Sequence, residues 1–351
     1  MKRFVALLFL LVAMVGMSGC GGGDGDDAAT PTFTLAWSEY PSWSVFGVAS
    51  EKGIIDGAEG KLGPVEEKWG VDIVLKEADY DTCITLYGSS TVDAVCITNM
   101  DAMTPAVGRN SVAILPTSTS VGADACIVVG GISMESLKGK TTYGLEKSVA
   151  QYAFERCLVA AGEDPADYPF KNMDPAAAAT AMQTDQENIE SIQVWNPFVL
   201  QTLRTRADAK VAFDSSSIPE EIIDMVVVGK DSLDKNGGED FACAVIDTFY
   251  QVCQMLDDPK QADETTVAIG AKFSSLGLED MQEVLTKTRL YKTPDAGLGL
   301  YEGEKFQTGT MPAVAKFCLD HAIIEKEVTI GFGEDSQLNF DTSYIKKVQS
   351  E

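Results

Sequence analysis

From Thr32 onward, short apolar runs alternate with amphipathic stretches, the pattern of α/β units built around mostly parallel sheets. Residues 33–37 predict a first strand and 44–52 its helix, stopped by Gly53. Residues 71–76 read as a second strand, 79–87 as a helix stopped by Gly88, and 94–98 as a third strand. Two apolar runs, 111–115 and 125–129, flank the polar stretch 116–124, which suits a chain leaving one lobe and entering another. Residues 141–145 open the next unit, and Ser148 with Gln151 has the spacing of a capping box at the start of its helix. Strand 170–172 precedes a helix with Asp174 as cap and Pro175 in its first position. Strand 189–194 runs into Trp195-Asn196-Pro197, and the apolar run 222–228 is the return crossing. Residues 239–256, 263–274, 278–288 and 310–321 then read as helices. The expected architecture is two α/β lobes, the second (119–224) inserted in the first (33–118 and 225–351), with a helical C-terminal region.

The chain opens on a different pattern. Lys2 and Arg3 precede twelve unbroken apolar residues, 4–15, followed by small residues at Gly16, Ser18 and Gly19, the order of a secretory signal peptide. Twelve residues at about 1.5 Å each make a helix of roughly 18 Å, short of the ~30 Å hydrocarbon core of a bilayer, so the segment targets rather than spans. The run Met17-Ser18-Gly19-Cys20 resembles the lipobox of bacterial lipoproteins, in which the cysteine takes a diacylglycerol and becomes the new N-terminus. Residues 1–19 are then the signal peptide, Cys20 is the lipidation site, and 20–32, beginning Cys20-Gly21-Gly22-Gly23, is a flexible tether. The expected location is extracytoplasmic, on the periplasmic side or the cell surface, with membrane contact through the lipid.

Charge narrows the partners. The formal net charge is −26, and loss of Lys2 and Arg3 takes two of the 27 basic residues and none of the 53 acidic ones, leaving about −28. Such a chain repels nucleic acid and anionic lipid and has no basic patch for either. At 45% hydrophobic it can still bury a core. Besides Cys20 there are seven cysteines, none in a CxxC pair, and one histidine, His321; no zinc or Cys/His catalytic spacing can be built from them, and neither metal nor cofactor is expected. Most of the cysteines sit among apolar neighbours and read as buried thiols.

In open α/β sheets a ligand sits beyond the carboxyl ends of the strands, often against helix N-termini. Four such ends carry chemistry here: Ser38-Glu39-Tyr40-Pro41-Ser42-Trp43 directly behind Trp37, then Thr98-Asn99-Met100-Asp101, Glu146-Lys147-Ser148, and Trp195-Asn196. Trp37, Glu39, Tyr40, Trp43, Thr98, Asn99, Asp101, Glu146, Ser148, Trp195 and Asn196 are therefore the candidate ligand-binding residues, with Lys147 the only cation among them. Singly, each has a plainer use: a tryptophan belongs in a core, Asp101 caps a helix, and Ser148 is already explained by capping. Together, at the ends of four strands in two lobes, they suit a cleft.

These segments resemble the solute-binding lipoproteins of ABC importers of the nitrate, sulfonate and taurine class. The resemblance rests on Trp37-Ser38-Glu39-Tyr40 with Gly47 and Gly53-Ile54-Ile55, on Val92-Asp93-Ala94 leading to Thr98-Asn99-Met100-Asp101-Ala102, on Leu137-Lys138-Gly139-Lys140, and on Val194-Trp195-Asn196-Pro197. Phe213-Asp214-Ser215-Ser216 with Ile218-Pro219 and Glu221-Ile222-Ile223-Asp224 is similar to the urea-binding branch associated with urea carboxylase, whose relatives handle guanidine. Residues 55–64 and the acidic tail from Glu325 depart from the pattern. The resemblance implies a monomeric, two-lobed type II periplasmic binding protein that closes on a small solute and docks on an ABC permease with its ATPase subunits. Carboxylates beside aromatic faces suit urea or guanidinium better than an anion. Sulfonate, nitrate or taurine binding is the alternative, as is a lipoprotein receptor that presents its solute to a sensor. An enzyme of the related pyrimidine-synthase branch is disfavoured by the lack of acid–base and metal parts.

Overall fold

A computed structural model describes residues 29–185, 189–333 and 335–351. The signal peptide, Cys20 and most of the tether lie outside the described residues. The strands are β1 (Thr32–Trp37), β2 (Asp72–Glu77), β3 (Ala94–Thr98), β4 (Ser111–Ser120), β5 (Asp124–Val128), β6 (Thr142–Gly144), β7 (Phe170–Asn172), β8 (Ser191–Trp195), β9 (Lys210–Asp214), β10 (Ile223–Gly229), β11 (Thr288–Leu290), β12 (Ile330–Gly331) and β13 (Leu338–Phe340). They form two sheets, one ordered β12-β13-β4-β10-β3-β1-β2 with β11 on β4, the other β7-β6-β8-β5-β9. The chain leaves the large sheet after Ser120 and returns to it at Ile223, so the second α/β lobe is inserted in the first.

Each sheet mixes strand directions. β1 runs parallel to β2 and β3, and β6 parallel to β7 and β8, as βαβ connections require. The strands that carry the chain between the lobes run the other way: β10 is antiparallel to β3 and β4, and β5 to β8 and β9. Alternate residues of the large sheet face two helical layers. Phe33, Leu35, Ile73, Cys96, Val226 and Val228 pack with helices Ser44–Glu51, Gly238–Asp257 and Ala262–Lys272. Ala36, Val95, Ile97, Met225 and Val227 pack with helices Tyr80–Gly88 and Met311–Asp320.

Three segments differ from the sequence expectation. β4 does not stop at Leu115 but continues through Pro116 to Ser120, because the register with β10 slips between Asp224 and Met225, where Pro116, lacking an N–H, is tolerated. Residues 55–64 are tied to a following helix, Pro64–Trp69, by the buried carboxylate of Glu66, which accepts the backbone N–H of Asp56 and Gly63 (both 2.6 Å) and of Ile73 (2.7 Å). The tail beyond Glu325 is part of the fold: β13 adds parallel to β4, and helix Ser343–Ser350 lays Ile345 into the core. All seven cysteines among the described residues are buried free thiols. Among those residues no helix is long and apolar enough to cross a membrane.

Candidate functional site

Between the two sheets lies a cavity of about 340 Å³. The segment after β1 contributes Ser38, Glu39, Tyr40 and Trp43; the end of β3 contributes Thr98 and Asp101; the turn after β6 contributes Glu146, Lys147 and Ser148; β8 ends on it with Trp195. Two further carboxylates come from strand beginnings. Because β10 is antiparallel to β3, Asp224 stands opposite Thr98, and because β5 is antiparallel to β8, Asp124 stands opposite Trp195. Both line the cavity. A reading that follows only the carboxyl ends of parallel strands misses them, although an acid inside the apolar run Ile222-Ile223-Asp224-Met225-Val226 is itself a signal.

One wall is aromatic. Trp43 stacks on Tyr80, ring centroids 5.2 Å apart at 20°, and leans on Tyr40 at 4.9 Å. The indole N–H of Trp43 is buried without a partner. Tyr80, in the first turn of its helix, was not among the sequence candidates; its hydroxyl donates to Asp101 Oδ2 (2.8 Å) and accepts the N–H of Thr98 (3.0 Å). Thr98 Oγ1 donates to the same carboxylate oxygen at 2.8 Å. Asp224 accepts from Ser118 Oγ, which lies 2.9 Å from Ser42 Oγ.

Asp101, Asp124 and Asp224 make no ion pair with any described residue. Burial is the main influence on each and drives its carboxyl toward the neutral form. Asp124 is pushed up to about 6 against the opposing hydrogen bond of Ser120. Asp101 is raised in spite of Tyr80 and Thr98. Asp224 is raised furthest, with Asp124 and Asp101 adding repulsion to burial. Tyr40 is likewise raised, first by burial and then by Asp224 and Asp124. The arrangement is an acidic, aromatic cavity that holds negative charge only at a cost.

The remaining candidates divide. Glu146 is exposed at the rim and exchanges hydrogen bonds with Asn172 at 3.0 and 3.1 Å. Glu39 is exposed and accepts the N–H of Ser274 at 3.2 Å. Ser148 caps helix Val149–Ala160 through the N–H of Ala150, while Gln151 accepts the N–H of Lys147 at 2.7 Å, so the expected capping box is displaced by one residue. Lys147 is exposed, and its ammonium reaches Ala322 O in the other lobe at 3.4 Å.

Three candidates lie off the cavity wall. Trp37 is 2% exposed and points into the helical layer, where a Cβ on Gly47 would meet its ring at 2.7 Å. Asn99 bridges Glu221 O and the N–H of Ile223, both at 3.1 Å, and thereby fixes the end of β3 to the start of β10. Asn196 accepts the N–H of Leu200 at the start of helix Phe198–Thr205 and borders a separate small cavity with Gly122 and Lys287. Strand alternation, not the strand-end rule, decides where Trp37 goes. Among the described residues, no group of three His, Cys, Asp or Glu side chains is arranged to hold a metal ion.

No known family profile matches the chain, and no curated protein sequence does. Solved structures do. The periplasmic aliphatic sulphonate binding protein SsuA from Escherichia coli superposes with a TM-score of 0.67 at 15% identity, covering 85% of this chain and 90% of that one. The alkanesulfonate-binding protein SsuA from Xanthomonas axonopodis pv. citri, bound to MOPS, gives 0.63 at 15% over 86% and 96%. The periplasmic nitrate-binding protein NrtA from Synechocystis PCC 6803 gives 0.57 at 15% over 92% and 89%. The chain has the two-lobed periplasmic binding protein fold.

Proposed function

We propose that this chain is the extracytoplasmic solute-binding component of an ABC importer and that it captures a small nitrogen-containing solute, urea or guanidine-like, by closure of its two lobes. The observation that carries this reading is the cavity between the lobes: the buried Asp124 and Asp224 and the half-buried Asp101, none of them in an ion pair with a described residue, walled by Tyr40, Trp43, Tyr80 and Trp195 with Lys147 as the one cation of the lining. Carboxylates accept paired N–H groups, and aromatic faces stack on a planar nitrogen compound. Nitrate and sulfonate binding are recorded for the similar structures named above, but an anion would meet Asp101, Asp124 and Asp224 with only Lys147 to offset them.

Capture then proceeds by population shift, the solute favouring the closed state through contacts that the open state lacks. A permease with its ATPase subunits takes the cargo from the monomeric, closed protein, and a lipid on Cys20 keeps the supply near the membrane. Binding rather than catalysis fits a site without a histidine; the single His321 pairs instead with Glu155 at 3.0 Å. A thermal-shift screen of small nitrogen compounds tests the reading. A true solute at a hundred times its dissociation constant adds about 2.7 kcal/mol and raises Tm, whereas a flat response to urea, guanidinium and simple amines contradicts it.

A further inference from the structure

Three of the cavity carboxylates face one another from different lobes: Asp224 stands on the large sheet and Asp101 just beyond the end of its strand β3, while Asp124 stands on the small sheet. Asp124 is 4% and Asp224 2% exposed. Apart from Lys147, the titratable groups that line the cavity with the trio are acids, Glu39 and Glu146 at its exposed edge among them. Tyr40, Tyr80 and Asp81 face it from the cavity side, and the thiols of Cys96, Cys157 and Cys318 lie behind. Lys147 supplies positive charge only at the rim, and Arg156, on helix Val149–Ala160, is committed to Glu221 at 2.6 and 2.9 Å.

We infer that the solute is a small organic cation, and that closure on it expels on the order of one proton from the trio Asp101, Asp124 and Asp224. The inference rests on the solute-capture reading above and narrows it to a charge class. Without a cation, closing the cleft brings Asp124 toward Asp101 and Asp224 in a medium of low polarity, where like charges repel strongly and neutral carboxyls are favoured. A cation with several N–H donors reverses that preference. One proton leaves a carboxyl oxygen of the trio for the buffer, and the single positive charge of the solute takes its place. Neutral urea does neither: it binds protonated and ionised carboxyls by exchanging donors, with little dependence on pH. The ring of Trp43, stacked on Tyr80, gives the cation a flat aromatic face to lie against.

The test is calorimetric titration of the mature full-length protein with guanidinium chloride at low millimolar concentration, in two buffers of different ionisation enthalpy, beside urea, methylammonium, taurine and nitrate. Guanidinium is expected to bind with release of on the order of one proton at about pH 6.5. Its affinity is expected to fall about ten-fold from about pH 7.5 to about pH 5 through Asp124 alone. Asp124→Asn and Asp224→Asn each lower the affinity at least ten-fold and reduce the proton count. Melting curves establish that the variants fold, and the wild-type pH profile decides the matter by itself if one of them does not. Tight binding of urea, taurine or nitrate with none of either cation overturns the inference while leaving solute capture standing. Cation binding without proton exchange removes the proton-coupled closure, and absence of binding by every compound overturns both readings.

Discussion

Buried carboxylates occur in two settings in this molecule, and the same side chain behaves oppositely in each. In the scaffold they are satisfied. Asp93 is pushed up by burial, but Lys235 and Ser232 (both 2.7 Å) and the N–H of Thr34 (2.9 Å) together hold it below the usual carboxylate range. Asp247 is treated alike by Lys68, Gln251 and Trp69. Glu66 receives three backbone N–H groups. In the cleft, Asp101, Asp124 and Asp224 are as deep but have only hydroxyl partners and one another, and all three are raised. Folding alone does not call for groups that weaken it, so the contrast marks the cleft as the place where another molecule completes the charge balance.

The contrast breaks most visibly under one chemical change, carboxylate to amide. Glu66→Gln keeps the shape but turns an NH₂ toward a backbone N–H, and an orphaned buried donor beside a lost charge-assisted bond costs about 4 kcal/mol; denaturant unfolding measures it. Asp124→Asn has the opposite sign. A carboxyl raised from 3.8 to about 6 weakens the fold as pH rises from about 4 to about 6 and is fully unfavourable above. Relative to wild type, the ligand-free Asn variant therefore gains up to about 3 kcal/mol across that window and is level with it in stronger acid, a pattern that melts at several pH values would reveal. Trp195→Ala, which removes a wall and leaves the lobe cores intact, should weaken solute binding about ten-fold by calorimetry. Glu146→Gln should matter least, within about three-fold, because its carboxylate is exposed and already engaged by Asn172.

The sequence makes legible what is periodic. Residues 94–98 and 170–172 form strands with the expected bounds, and Asp174 caps its helix with Pro175 in the first turn. The candidate cavity is half legible for the same reason: Tyr40, Trp43 and Asp101 follow, and Thr98 and Trp195 end, strands whose direction the βαβ pattern fixes. Asp124 and Asp224 escape because they begin antiparallel strands, and antiparallel pairing between distant segments leaves no local mark. Strand β13, only three residues long, escapes too, since Leu338-Asn339-Phe340 shows its alternation only once β4 is beside it. Asn99 and Asn196 show the limit of composition, amides at the right strand ends whose hydrogen bonds go to the backbone of the scaffold.

The most direct measurement compares the thermal shift produced by guanidinium at low millimolar concentration in the wild-type protein and in Asp224→Asn. A clear rise in Tm for wild type, lost in a variant that melts higher than wild type when both are empty, is the predicted result. An equal rise in both, or a variant that melts lower when empty, would contradict the account.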